Sequence, residues 1–437
     1  MGETRTSKLV NWLVLALLGA AALLRLGWAY ASASGTGGEA RNVALAIAGG
    51  RGIADAYAVG QGPTAHLSPI SPGIAGLTYR LLGIESVPSE ILLTLYTVAL
   101  ALASYWLLFR TFGRLGSPLP ARLAALAFLS VAPTYIGQES KDFKIWDGGL
   151  AAALLALFLD RLTAANAKPR IGTGDLALLA IIVAVLFFVS PNLGLGGYLA
   201  ALIVAWRRLD WGRFFGAGAL AAVALAAVLT PWVIRNNRVM GEPIVLRSNA
   251  GLELALANHP DALSGRDPRQ VFLDRIRAIH PLQSEAAYAR MVAAGGEVAY
   301  ARALGDEARV WMAAHPGDAA RLAVRHVRQI FWPDQWQFAA FRSGAAVGLR
   351  TLLAGLIGTL GLAGLLWRLW RRDRDWLPVA AVVVVAALSY APFQPINRYT
   401  YLFYAPLAYC AFDLLFAAAR TVWERRGRRG QAGARAA

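Results

Sequence analysis

The sequence predicts an all-α polytopic membrane protein of about ten transmembrane helices, and three observations carry that expectation. Hydrophobic residues make up 57% of the 437 and charged residues only 16%, a balance that ordinary soluble domains of this length do not show. The apolar residues are gathered into blocks near the ~20 residues that a helix needs to cross a bilayer. Between them, every second connector is short and rich in arginine, as cytoplasmic loops are. The net charge of +17 would suit nucleic acid if it were clustered in a soluble domain. Its placement between apolar blocks assigns it instead to helix orientation and lipid headgroups, so the expected partner is the bilayer, with no nucleic acid.

The apolar blocks fall near 9–32, 90–109, 121–137, 147–161, 174–190, 193–207, 214–234, 345–367, 376–391 and 399–418. The first follows Arg5 and Lys8, and Ala31-Ser32-Ala33 faintly resembles a signal-peptidase site. Its apolar run is longer than a signal peptide's core of about 7–15 residues, so it is expected to stay as an uncleaved helix. The basic connectors 110–122, 161–170, 207–213 and 368–374, with the tail from Arg420, place both termini in the cytoplasm. The lone cysteine, Cys410, excludes an intrachain disulfide and a cysteine metal cage.

That orientation divides the chain into an N-terminal membrane module (1–234), an extracytoplasmic cap (235–344), C-terminal membrane helices (345–419) and a basic tail (420–437). The first module contains a long outer loop, 34–89. Both outer segments exceed what a plain connection needs, so each is expected to be structured and to carry function. In the cap, 298–314 and 319–332 show helical spacing around Pro316-Gly317, which predicts a helical cap.

The polar residues with chemical potential gather at the outer boundary. Glu39 follows the first membrane helix and could take a proton from an attacking hydroxyl. Equally, Thr36-x-x-Glu39 has capping-box spacing, and Glu39 could serve only the helix start. Arg41, two residues on, points away from Glu39 on a helix and could bind a phosphate or a headgroup. His66 sits in a proline-stiffened turn from Gly62 to Pro72 suited to positioning a substrate, or is simply a polar surface residue. Asp147 opens the fourth membrane helix, where the helix dipole favours an acid with or without a catalytic role. Arg235 and Arg398 lie at outer helix ends, where they could pair with a lipid phosphate or contact headgroups. There is no P-loop, no HExxH and no set of residues at metal-ligand spacing, and Arg25 is almost alone as an ionisable residue within a helix interior. A proton- or ion-coupled transporter usually needs such groups in mid-membrane.

The run Pro231-Trp232-Val-Ile-Arg235-Asn-Asn-Arg238, continuing through Leu246-Arg247-Ser248-Asn249-Ala-Gly251-Leu-Glu253 to Asn258-His259-Pro260, resembles bacterial members of glycosyltransferase family 39. That family belongs to the GT-C superfamily, with the protein O-mannosyltransferases and the lipid A aminoarabinose transferase. Glu39-Ala-Arg41-Asn42, Gly62-Pro63-Thr64-Ala65 and Ala314-His315-Pro316-Gly317 are similar in order and position, so the likeness spans nearly the whole chain. It implies a GT-C bundle with a long first outer loop in a bacterial inner membrane. It also implies inverting transfer from a polyprenyl-phosphate sugar. In such proteins an acid in the first outer loop, often within Asp-Glu, is the proposed base, with an arginine two positions later near the phosphate. Here the pattern reads Gly38-Glu39-Ala-Arg41, so the first acid is glycine, and Leu67 or Ser68 stands where some relatives carry a lysine. Asp147 resembles a second acid of some relatives.

The expected function is therefore a membrane glycosyltransferase acting on a glycolipid, polysaccharide or protein. Glu39 and Asp147 are the candidate catalytic acids, and Arg41, Arg235 and Arg398 bind the donor phosphate. His66, Asn249 and Glu253 position substrate. No cofactor and no metal are expected, because a phosphate ester already leaves well. The rival readings are a glycan or lipid transporter, an envelope-assembly scaffold on a GT-C body, and a polymerase of preassembled glycans.

Overall fold

A computed structural model of the chain describes residues 2–32, 37–339 and 346–436. The described residues form helices and loops with a single isolated bridge, Ala54 to Pro63. In chain order the helices are α1 (Gly2–Ala31), α2 (Glu39–Ala48), α3 (Ile70–Leu82), α4 (Val87–Arg114), α5 (Leu119–Val131), α6 (Ile136–Ser140), α7 (Gly148–Ala167), α8 (Thr173–Val189), α9 (Pro191–Arg208) and α10 (Trp211–Met240). Then follow α11 (Ala250–Ala257), α12 (Pro268–Ile279), α13 (Glu285–Ala293), α14 (Glu297–Ala314), α15 (Pro316–Phe331) and α16 (Gln335–Ala339). The chain closes with α17 (Val347–Trp370), α18 (Leu377–Ser389) and α19 (Asn397–Ala436).

Among the described residues each expected apolar block maps onto helix, the third with a break at 132–135, and the count of ten spans is not reached by length and apolarity alone. Among the described residues six helices are long and apolar enough to cross a membrane: α1, α4, α7, α10, α17 and α19. A seventh arises if Leu119–Val131 and Ile136–Lys144, which meet at 71°, are one broken span. The thirteen residues of α18 reach only about 20 Å, less than the ~30 Å hydrocarbon layer. That helix packs along α9. The helix of the seventh apolar block, α10, runs unbroken past Pro231 to Met240, beyond the expected end of that block at 234.

Close packing of α17 on α19 depends on glycine. A Cβ at Gly361 or Gly364 would collide with the backbone of Leu407 or Cys410, so only hydrogen lets the two backbones approach there. The bundle also contains more buried charge than its sequence suggests. Asp160 meets Arg110 and Arg114, and Asp413 takes a two-pronged contact from Arg368. Both acids are almost fully enclosed, and pairing is what makes an ion tolerable in such surroundings. Both sit toward the end of the bundle opposite the cap.

In the cap, Glu297 at the start of α14 is a structural clamp. Its buried carboxylate accepts hydrogen bonds from Gln61 Nε2 (3.0 Å), Thr64 Oγ1 (2.7 Å), the Ala65 amide (2.7 Å) and Ser248 Oγ (2.8 Å). One side chain thereby locks the proline-rich turn of the first loop to the cap and to the segment after α10.

Candidate active site

The site is built where α2, the 53–68 turn, the start of α7, the segment after α10 and the start of α19 converge beneath the cap. Gly38 precedes α2 with φ 95° and no side-chain cap. Thr36, the other half of the expected capping box, lies outside the described residues. Glu39 is instead turned inward and buried, with 9% exposure.

Two histidines meet it. His280 Nε2 lies 3.0 Å and His66 Nε2 4.0 Å from Glu39 Oε1. The Leu282 amide donates to His280 Nδ1 at 3.3 Å, which leaves the proton on Nε2 to be donated to Glu39. Burial alone would raise the Glu39 carboxyl, but the His280 hydrogen bond and the electrostatic pull of His280 and His66 outweigh it and hold the group down to about 2. Burial lowers His66 to about 4, against the pull of Glu39. Its Nδ1 lies 2.7 Å from the Tyr57 hydroxyl. A carboxylate held this strongly in its ionised form is a poor proton acceptor at neutral pH.

The second half of the site centres on Asp147. It stands at the N-cap of α7 yet caps no backbone N–H. Arg247 donates to Asp147 Oδ2 at 3.2 Å and to the Val189 carbonyl at 2.9 Å. Arg247 Nε is buried without a hydrogen-bond partner in the protein, and the buried Asp147 carboxylate is also reached by the Ser71 hydroxyl and amide. Burial raises the Asp147 carboxyl, and Arg247 only partly opposes that rise. Arg398, at the first turn of α19, lies over the Trp146 ring at 3.8 Å from its centroid and forms no ion pair among the described residues. Asn249 donates to Glu253 Oε1 at 3.3 Å, and burial raises that carboxyl too. The charges of Arg247 and Arg398 reach Asp147, Glu253 and His66 alike, so the two halves form one electrostatic unit.

Of the expected site residues, the fold therefore brings together Glu39, His66, Asp147, Asn249, Glu253 and Arg398. Two expected phosphate ligands are placed elsewhere. Arg41 forms a two-pronged pair with Glu85 at 2.5 and 2.8 Å on the surface, because position i+2 on a helix faces away from position i. Arg235 donates to the carbonyls of Thr64 (2.7 Å) and Ile53 and packs on Trp232. It braces the loop instead of facing the acids. Sequence reading missed Arg247 as a site residue and His280 altogether; a histidine ending a cap helix before Pro281 carries no distinguishing local signal.

The chain as a whole resembles the oligosaccharyltransferase AglB of Archaeoglobus fulgidus. In the structure with an inhibitory peptide and a dolichol-phosphate, 96% of this chain covers 52% of that one at 15% identity, with a TM-score of 0.52. A structure of the A. fulgidus oligosaccharyltransferase with Zn and sulfate covers 94% and 50% at 12% identity and a TM-score of 0.53. The chain has the GT-C fold. It spans about half the length of the oligosaccharyltransferase it matches. ArnT of Cupriavidus metallidurans, solved with undecaprenyl phosphate, covers 94% of this chain and 78% of its own at 14% identity, but its TM-score is 0.35. No known family profile matches the sequence, and no curated protein matches it either.

No metal is expected from the sequence, because the leaving phosphate does not require one and no residues stand at metal-ligand spacing, yet the fold gathers a candidate ligand set from three distant segments. The coordinating atoms of Glu39, His66 and His280 lie within 4.8 Å of one another, all buried. Two imidazoles and one carboxylate suit an ion of the zinc type. His66 is already arranged for it, since its Nδ1 faces the Tyr57 hydroxyl as an outer-shell partner should. His280 would exchange its long bond from the Leu282 amide for metal ligation.

Proposed function

We propose that this chain is a glycosyltransferase that moves a sugar from a polyprenyl-phosphate-linked donor to an acceptor hydroxyl on the extracytoplasmic face, with inversion. The observation that carries the reading is the convergence of the buried acids Asp147 and Glu253 with two arginines, Arg247, whose Nε is buried without a partner, and Arg398, which has no carboxylate partner among the described residues. Buried polar atoms in a folded protein are nearly always satisfied, so such a group beneath the cap of a GT-C fold suits a polar substrate. Both termini are then cytoplasmic and the cap end is outside, in keeping with the arginine-rich connectors at the opposite end.

In this mechanism Asp147 Oδ1 takes the proton of the acceptor hydroxyl, whose oxygen attacks the anomeric carbon from the face opposite the phosphate. The bond from that carbon to the phosphate oxygen breaks, and polyprenyl phosphate leaves with the electron pair. Arg398 and Arg247 meet the negative charge growing on it. The base role passes from Glu39 to Asp147 because His280 and His66 hold the Glu39 carboxyl down, whereas burial raises that of Asp147 against only partial opposition. Glu39, His66 and His280 would hold a divalent ion when one is bound, and it would supply positive charge to substrate oxygens. Without it, His280 keeps Glu39 ionised and in place. Glu253 and Asn249 face the sugar or the acceptor.

The test is mass spectrometry of envelope glycans and glycolipids from cells lacking the protein, complemented with wild type, Asp147→Asn or Glu39→Gln. Wild type should restore one missing sugar and Asp147→Asn should not. Full restoration by Asp147→Asn at matched protein levels would remove Asp147 from the chemistry.

A further inference from the structure

Arg25 is an arginine within the first membrane helix that the reaction above does not use. Its side chain and that of Glu139 are each only 1% exposed, and their charged atoms lie 2.7 Å apart. All five guanidinium N–H groups are engaged. Nε donates to Glu139 Oε2 (2.9 Å), Nη1 to the carbonyls of Ala21 and Ser130 (3.1 Å each), and Nη2 to the Tyr105 hydroxyl (2.8 Å) and the Leu129 carbonyl (3.1 Å). Glu139 also accepts from Tyr105 (2.5 Å) and Tyr401 (3.1 Å). The network joins α1, α4, α5, α6 and α19 with every charge matched.

Its location gives it more than a packing role. Pro133 lacks an amide N–H and cannot continue α5, and the chain turns by 71° there. The last carbonyls of a helix have no partner within it. Arg25 caps two of them, Leu129 and Ser130, while Glu139 holds the first turn after the break. Across the break, the Tyr135 hydroxyl lies 2.6 Å from Thr400 Oγ1, and Phe143 packs on Tyr401 at 4.6 Å. The same cluster thus fixes the segment ending in Trp146-Asp147 and the turn of α19 that begins with Asn397-Arg398.

We propose that Arg25 and Glu139 are positioning residues for the active site, a buried ion pair that holds the break after α5 so that Asp147 and Arg398 face one substrate. The inference rests on the transferase reading for its kinetic consequence and on geometry alone for its structural one. A buried ion pair that only fills space can often be replaced by apolar residues without loss of stability, which separates the two roles.

The experiment uses the purified full-length chain in lipid nanodiscs. It compares wild type, Tyr401→Phe, and the double variant Arg25→Met with Glu139→Leu. Transfer from a polyprenyl-phosphate sugar is measured together with thermal unfolding and amide hydrogen exchange. Tyr401→Phe removes one donor to Glu139 with almost no change of volume, so it keeps the test usable if the double variant folds poorly. The expected result is normal unfolding for Tyr401→Phe, with kcat lowered about tenfold or more and the donor KM nearly unchanged, because reacting groups are misplaced while binding persists. Exchange should rise over 134–147 in both variants and stay at wild-type levels in α17. Unchanged exchange over 134–147, or kcat within about twofold of an active wild type, overturns the positioning role. A wild type with no transfer beside raised exchange in the variants sinks the transferase reading and leaves the structural role supported.

Discussion

Gly38 lies so close to Trp146 that a Cβ at position 38 would come within 3.1 Å of the indole Cζ2. With φ 95° and ψ −173°, Gly38 also occupies a backbone region essentially reserved for glycine. The indole fills the space that a first acid would need, and its ring supports Arg398. The glycine in this pattern is therefore part of a different arrangement of the site, with Asp147 next along the chain from the indole.

Gly38→Asp should not add a useful acid. Backbone strain alone should cost about 1–3 kcal/mol, and displacement of Trp146 should loosen Arg398. Thermal unfolding and donor KM, measured on the same preparation, should both worsen; an active variant of normal stability would contradict the packing argument.

The pH profile should report Asp147. Burial raises its carboxyl, and the base must be ionised to accept a proton. Activity is then full above the raised pKa and is lost as pH falls through it, so the acid limb should lie above the ~3.9 of an ordinary aspartate. Glu39, held near 2, cannot produce a limb there. Asp147→Asn should lower kcat by at least about a hundredfold, whereas Glu39→Gln should keep an acid limb at the wild-type position.

Zinc should bind at Glu39, His66 and His280 with a stoichiometry near one ion per chain, read by elemental analysis after dialysis. His280→Ala should lower that affinity by at least about tenfold and abolish any rise in unfolding temperature on adding zinc. Binding should weaken as the histidines are protonated, since imidazole ligates only when neutral. Equal zinc retention by wild type and His280→Ala would rule out this ligand set.

The arginines should separate by position. Arg398→Ala should raise the donor KM or lower kcat by about tenfold or more, as loss of a charge-assisted contact to phosphate does. Arg41→Ala should stay within about twofold and cost less than about 1 kcal/mol in stability, because it breaks only an exposed pair with Glu85. A strong kinetic defect in Arg41→Ala would return that residue to the donor site.

Local pattern by itself determined which segments are helical and membrane-embedded. It also marked a long first loop with a helical cap and a boundary rich in acids and arginines. These follow from properties carried within about twenty neighbouring residues: apolar run length, proline and glycine position, and charge in connectors. Glu39, Asp147 and Arg398 were legible because they are polar residues set near the ends of apolar runs, and His66 because it sits in a proline-stiffened turn. Tertiary structure alone decided how they divide the work. Glu39 and His280 are 241 positions apart and Asp147 and Arg247 are 100 apart, so no local spacing relates them. It also sent Arg41 and Arg235 to other partners and set the break at Pro133 within the third apolar block. Burial and the charges brought near a group fix whether it holds a proton or a metal, and both are properties of the packed fold.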